Sequence, residues 1–257
     1  MVSSPLERFI WYLNMAAAAA LAIRLFYEGL APLYRALVIY LVTDTVQQIL
    51  VRTFMSNGDL VGWIYAVGQL LKAGLSVFIV LNLCRLALAG KPALARFGHQ
   101  TIGYLFGLAA VISGLGVFLD IQAARGPEQR LRAFLTFERT MDSLVLVVLA
   151  LTSLFLLWFP LKVRRNVALN IAGFVVYSFE RWAGLLATNL WPNLRGQFSI
   201  AMLSVSFICL MLWLITLRRD GETMTTVIGH RWNAVEADHL RGQLDAINAR
   251  LERFSRQ

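Results

Sequence analysis

Seven long apolar stretches, separated by short polar loops, occupy most of this chain. A helix needs about 20 mainly apolar residues to cross a hydrocarbon core of about 30 Å. The stretches that reach this length are 9–28, 33–54, 61–88, 100–120, 134–159, 167–190 and 196–217. The pattern therefore predicts an all-α polytopic membrane protein, with seven transmembrane helices in one bundle formed by residues 1–217.

The end of the chain follows a different pattern. Within residues 232–257, apolar side chains recur at alternating steps of three and four, which is typical of an amphipathic helix with one apolar face. The members of this face that we expect to make contacts are Leu240, Leu244, Ile247 and Leu251. The glycines and threonines of the preceding segment, 218–231, predict a flexible linker. The tail helix is expected to dock onto the bundle or a cytoplasmic protein, or to form a homodimer.

Composition agrees with a lipid environment. The chain is 58% hydrophobic and 15% charged, whereas soluble domains carry about 25% charged residues. The net charge of +9 is scattered over short loops, which is typical of topology signals, so we expect the lipid bilayer and no nucleic acid as a partner.

The positions of the basic residues predict an orientation. Those after the third, fifth and seventh stretches fall on one side if the helices alternate; they are Lys91, Arg96, Lys162, Arg164, Arg165, Arg218 and Arg219. The other side is less basic, although its loop 121–133 contains three arginines. Because cytoplasmic loops are enriched in lysine and arginine, the N-terminus is predicted outside and the C-terminus in the cytoplasm.

Two ionisable residues fall deep within apolar stretches. Asp44 and Lys72 lie near the middle of consecutive, antiparallel helices, so they reach similar depth. Gln48 and Gln69 lie on the same polar stripes at helical spacing. A charge at this depth is costly unless it faces a partner or water, so this intramembrane polar centre is a candidate site.

A second polar group is predicted nearer the outer face. Its members are Glu138, Arg139, Asp142, Tyr177, Glu180 and Arg181, on the fifth and sixth helices. They can line an outward-facing polar cavity that binds a small ligand or an ion. The alternative is a set of structural ion pairs, Asp44 with Lys72 and Glu180 with Arg139, that fixes the register of the helices.

The sequence offers little support for catalysis. None of the three histidines forms a pair at metal-ligand spacing, and there is no phosphate-binding glycine loop or serine nucleophile motif. We therefore expect no metal site and no cofactor.

The tail and the third helix carry a resemblance to a known group. The pattern Arg231-Trp232-Asn233, then Leu244, Ile247-Asn248 and Leu251, resembles the ending of uncharacterised bacterial seven-helix membrane proteins. The segment 65–85, followed by a proline-containing loop, is also similar. Those proteins often have an acidic residue before the arginine of the third helix, where this chain has Cys84. The resemblance implies a multi-pass protein of the bacterial inner membrane, without an assigned activity.

Three functions remain open from the sequence. The first is a non-enzymatic sensor or interaction module, in which the polar cavity senses and the tail helix reports. The second is a small-solute or ion transporter that uses the intramembrane charges, although no internal repeat supports it. The third is an intramembrane enzyme.

Overall fold

The computed structural model describes residues 5–123, 127–159, 161–191, 194–227 and 233–254. Within these ranges the chain forms eight α-helices: α1 (Pro5–Tyr27), α2 (Arg35–Thr53), α3 (Gly58–Ala87), α4 (Pro92–Ala123), α5 (Pro127–Trp158), α6 (Arg165–Leu190), α7 (Arg195–Thr216) and α8 (Ala234–Phe254). Strands β1 (Lys162–Arg164) and β2 (Thr225–Val227) pair in antiparallel fashion. The fold is mostly helical, as predicted, with one small sheet that the apolar pattern does not reveal.

Local sequence explains where the helices begin and end. Asn57 caps α3 by accepting a hydrogen bond from the backbone N–H of Leu60 at 3.2 Å. Pro92 and Pro127 open α4 and α5 at the first helical position, where a missing N–H costs nothing. Gly29 ends α1 with a φ of 69°, a left-handed conformation that glycine adopts without strain.

Part of the helical surface suits lipid. Four helical segments are long and apolar enough to cross a membrane, namely Pro5–Tyr27, Leu60–Ala87, Thr140–Trp158 and Gly196–Thr216. Large apolar side chains such as Phe78, Leu151 and Ile208 are more than half exposed on these segments. Because an apolar surface this extensive is unfavourable in water, the chain is a membrane-associated protein.

The first seven helices pack side by side. Helices α1, α2, α3, α5, α6 and α7 contact one another in a ring, α1 closes it against α7, and α4 packs outside on α3 and α5. Helices α1 and α7 run parallel, because Glu7 accepts a hydrogen bond from Ser199 near their beginnings and Glu28 accepts one from the backbone of Arg219 after their ends. We call the end of the bundle where α7 leads into the tail the tail end.

The segment 218–227 corrects one expectation. It is not the flexible linker that its glycine and three threonines predict, because Arg219–Glu222 form a 3-10 helix and β2 pairs with β1. Val163, in the middle of β1, is buried beneath this pairing opposite Thr226. Residues 228–232 lie outside the described residues.

Candidate functional site

The structure pairs Asp44 with Lys72, as the equal depth of the two residues predicts. The ammonium of Lys72 on α3 lies 3.0 Å from Oδ1 of Asp44 on α2, and only 7% of Lys72 is exposed. Gln48, one turn after Asp44, donates from Nε2 to the other carboxylate oxygen at 2.5 Å. The four-residue spacing places Asp44 and Gln48 on one face of α2, so the carboxylate uses both oxygens. For Gln69 the described residues offer no hydrogen-bond partner to the buried side-chain oxygen.

A second ion pair lies between α5 and α6. Nε of Arg181 is 3.4 Å from Oδ2 of Asp142, which is an ion-pair distance rather than a well-aligned hydrogen bond. The same guanidinium donates to the hydroxyl of Tyr40 at 3.1 Å. Asp142 is 9% exposed, so this pair also lies inside the bundle.

Tyr40 connects the two ion pairs. It lies one turn before Asp44 on α2, and its hydroxyl is 3.0 Å from the hydroxyl of Tyr177 on α6. The two rings meet edge to face with centroids 6.3 Å apart. The two groups that the sequence places at different depths are therefore linked, in what we call the interior network: Tyr40, Asp44, Gln48, Lys72, Asp142, Tyr177 and Arg181. The stripe Tyr40–Asp44–Gln48 is visible in the sequence, but its contact with α6 is not.

The charges of the interior network balance. Asp44 and Asp142 each lie against one cation, Lys72 and Arg181 respectively. Paired charges are the form in which ionised groups are tolerated away from water, although their desolvation offsets much of the attraction. Breaking one pair leaves a buried charge without compensation, so the arrangement responds strongly to any change at one member.

The remaining members of the predicted outer group are only partly described. The side chains of Glu138 and Arg139 lie outside the described residues, so the expected pairing of Arg139 with Glu180 stays a prediction. Glu180 is partly buried, has Arg181 and Asp142 as charged neighbours, and has one carboxylate oxygen without a hydrogen-bond partner among the described residues. An outward opening of this group also stays a prediction.

A further polar cluster lies at the tail end and is absent from the sequence prediction. Glu222 of the 3-10 helix accepts hydrogen bonds from Tyr34 at 2.7 Å, Asn166 at 2.8 Å and Arg164 at 3.2 Å. Asn166 also donates to the backbone carbonyl of Arg218 at 2.7 Å. We call Tyr34, Arg164, Asn166 and Glu222 the Glu222 cluster. It joins the starts of α2 and α6 to the segment after α7.

The tail helix docks onto the start of α4. Oδ1 of Asn248 accepts hydrogen bonds from the backbone N–H groups of Ala93 and Leu94 at 3.0 and 3.1 Å. These N–H groups lie in the first turn of α4 and have no partner within their own helix, so Asn248 caps α4 from another element. Lys91, just before α4, forms an ion pair with Asp245.

The predicted apolar face of the tail is partly correct. Leu244 is 1% exposed, and Leu240 and Leu251 are partly buried. Ile247, however, is 45% exposed, so it is not part of the buried face of α8. Asn248, which the pattern treats as a polar position, makes the specific contact instead.

The described residues contain no group of three or more histidine, cysteine or acidic side chains that could hold a metal ion. Both cysteines, Cys84 and Cys209, are buried and free. Comparison of the chain with family models, with curated proteins and with solved structures finds no match.

Proposed function

We propose that the chain is a non-enzymatic protein of the bacterial inner membrane, which crosses the bilayer seven times with its N-terminus outside and its C-terminus in the cytoplasm. Helices α1 to α7 are joined by short loops, and α1 and α7 run parallel, as alternating spans require. The basic residues Lys91, Lys162 and Arg165 lie at the tail end, before α4, in β1 and at the start of α6 respectively, which supports a cytoplasmic tail end. The resemblance to uncharacterised bacterial seven-helix proteins agrees with this topology.

Within that topology the protein acts as a sensor, with the interior network as its input and α8 as its output. The observation that carries this proposal is the capping of α4 by Asn248. Helix α4 packs on α3 and α5, which bear Lys72 and Asp142. A ligand or ion that breaks an interior pair moves α3 or α5 and thereby α4, whose first turn holds the tail. The link from charge to tail is therefore continuous through packed helices.

Thiol labelling in membranes tests whether the tail is docked. Cys84 and Cys209 are first replaced by alanine, so that the only thiol is the one introduced. Leu244→Cys is expected to react slowly, because Leu244 is 1% exposed. Ala246→Cys, at an exposed position two residues away on the same helix, is the matched control and is expected to react fast.

The same cysteine probes test whether the interior network is coupled to the docking of α8. Asp142→Asn removes the anion beside Arg181, and we expect the labelling of Leu244→Cys to rise several-fold in that background. Arg52→Gln, at an exposed position on α2, is the control and leaves the rate unchanged. An equal rate in all three backgrounds refutes the sensor. So does a parallel rise at a cysteine placed at Leu149, which is 0% exposed, because that result means general unfolding.

A transporter is the second candidate, and one observation favours it. Glu180 is partly buried beside a balanced pair and has a carboxylate oxygen without a partner among the described residues, so it is a place where a cation could bind. Flux measurements on the purified protein in liposomes distinguish the two functions. Uptake of a cation that is lost in Glu180→Gln supports the transporter, whereas coupling without flux supports the sensor.

A further inference from the structure

Four buried polar atoms on α6 and α7 lack hydrogen-bond partners among the described residues. They are Oδ1 of Asn166, Nδ2 and Oδ1 of Asn170, and Nε1 of Trp213, and none has a hydrogen-bond partner among the described residues. Asn166 and Asn170 are 0% exposed and Trp213 is 3% exposed. A buried polar atom left unsatisfied costs about 1–3 kcal/mol, so a concentration of them in one place requires an explanation.

The two asparagines lie on one side of α6. Asn166 and Asn170 are four residues apart, so their side chains are neighbours on the helix surface. Gly173, three residues after Asn170, lies against the indole nitrogen edge of Trp213, where a Cβ would overlap the ring. The unpaired indole N–H therefore lies within about one turn of Asn170, given a pitch of about 5.4 Å.

The groups at the two ends of this stretch are already hydrogen-bonded. Asn166 belongs to the Glu222 cluster through its Nδ2. Tyr177 belongs to the interior network, and its ring centroid is 6.1 Å from that of Trp213. The distance along α6 from Asn166 to Tyr177 is about 16 Å at a rise of 1.5 Å per residue. The unpaired atoms therefore begin within the Glu222 cluster, at Asn166, and continue along α6 toward the interior network.

We propose that Asn166, Asn170 and Trp213 bind water molecules inside the bundle, and that these waters connect the Glu222 cluster to the interior network. The three side chains offer three N–H groups on two nitrogen atoms and two acceptor oxygens, because Asn166 contributes only its oxygen. A buried water typically makes about three hydrogen bonds to groups that are otherwise unsatisfied, which this set can supply. Through these bound waters, the interior network is in contact with the water at the tail end. This contact does not depend on whether the protein senses or transports.

Hydroxyl-radical footprinting with X-rays tests the site in the full-length protein in neutral-detergent micelles. Radiolysis of a bound water produces a radical beside the side chains that hold it. Trp213 is therefore expected to be modified several-fold faster than Met141, a side chain of comparable burial on α5 and of high intrinsic reactivity. Modification of Trp213 no faster than that of Met141 in the unaltered protein overturns the proposal.

A pair of variants locates the water. Asn170→Leu keeps a similar volume and removes both polar atoms, so it should lower the modification of Trp213 several-fold. Ile171→Leu, at the next buried position, is the matched control and should leave the rate as it was. If Trp213 reacts equally in both variants, Asn170 holds no water and the proposed connection is wrong. The comparison within the unaltered protein stands even where Asn170→Leu fails to fold.

Discussion

Breaking the ion pair between Asp44 and Lys72 should destabilise the bundle strongly. The ammonium and carboxylate are 3.0 Å apart, and the side chains are 9% and 19% exposed, so neither charge has full access to solvent. Removing one member of a buried pair typically costs about 3–5 kcal/mol, because the other charge is left uncompensated. We expect losses of this order from Asp44→Asn and from Lys72→Met.

The two single substitutions should differ in size. The carboxylate of Asp44 uses one oxygen for Lys72 and the other for Gln48. Asparagine has one oxygen, so in Asp44→Asn either Lys72 or Gln48 loses its acceptor in addition to the lost charge. Lys72→Met removes the cation but leaves the donor of Gln48 in place. A hydrogen bond to a charged group contributes about 1.5–3 kcal/mol, so Asp44→Asn should cost more by up to that amount.

A double-mutant cycle measures the pair. Free energies of unfolding in mixed detergent micelles are compared for the two single variants, the double variant and Arg52→Gln, an exposed control expected to change stability by less than about 0.5 kcal/mol. The double variant should cost less than the sum of the singles by about 0.5–3 kcal/mol. Losses that simply add would show that the two side chains do not interact and would refute the interior network at this position.

Three further predictions concern the topology, the tail and the packing of α6. Alkaline phosphatase inserted at Asn57 should be active and phosphatase fused after the tail inactive, whereas the reverse result contradicts the proposed orientation. Asn248→Ala should lower the free energy of unfolding by about 0.5–2 kcal/mol through the lost cap, and a change near zero would mean that α8 does not hold α4. Gly173→Ala should be destabilising by about 1–3 kcal/mol because the new methyl group overlaps the indole on α7. Gly62→Ala, which meets no atom, should be neutral or stabilising, and equal effects at both glycines contradict the packing of that indole.

The hydrophobic pattern predicts the helices, and the positions of the charged residues along those helices predict one ion pair. The seven stretches coincide with α1 to α7, because twenty apolar residues in a row have few alternatives to a helix. The pairing of Asp44 with Lys72 follows from equal depth on consecutive helices, since a buried charge needs the nearest opposite charge. The first inference uses only the spacing of residues along the chain, and the second adds the short connection between α2 and α3.

What the sequence does not predict depends on distant contacts. Glu222 accepts a hydrogen bond from Tyr34, which lies 188 residues earlier, and no local sequence pattern predicts a partner at that distance. The glycines near Glu222 indicate a loop, but Gly221 is buried against Asn166, where a side chain would not fit. The heptad steps of α8 likewise define an apolar face without saying which of its members a partner covers, and Ile247 is exposed.

The segment before α8 and α8 itself are held by separate contacts. This separation matters for the proposal that α8 is the output of the sensor. The segment before it is fixed by Glu222 and by the pairing of β2 with β1, so among the described contacts undocking α8 breaks those with α4 and leaves this segment in place. Burying Leu244 contributes about 1.5–3 kcal/mol. The cap at Asn248 contributes about 0.5–2 kcal/mol, and the exposed ion pair of Asp245 at most about 1 kcal/mol. Ordering the helix offsets part of this, which leaves a docked state favoured by only a few kcal/mol. Two states separated by such a gap are within reach of a single ligand-binding event, because a ligand shifts an equilibrium by its difference in affinity for the two states.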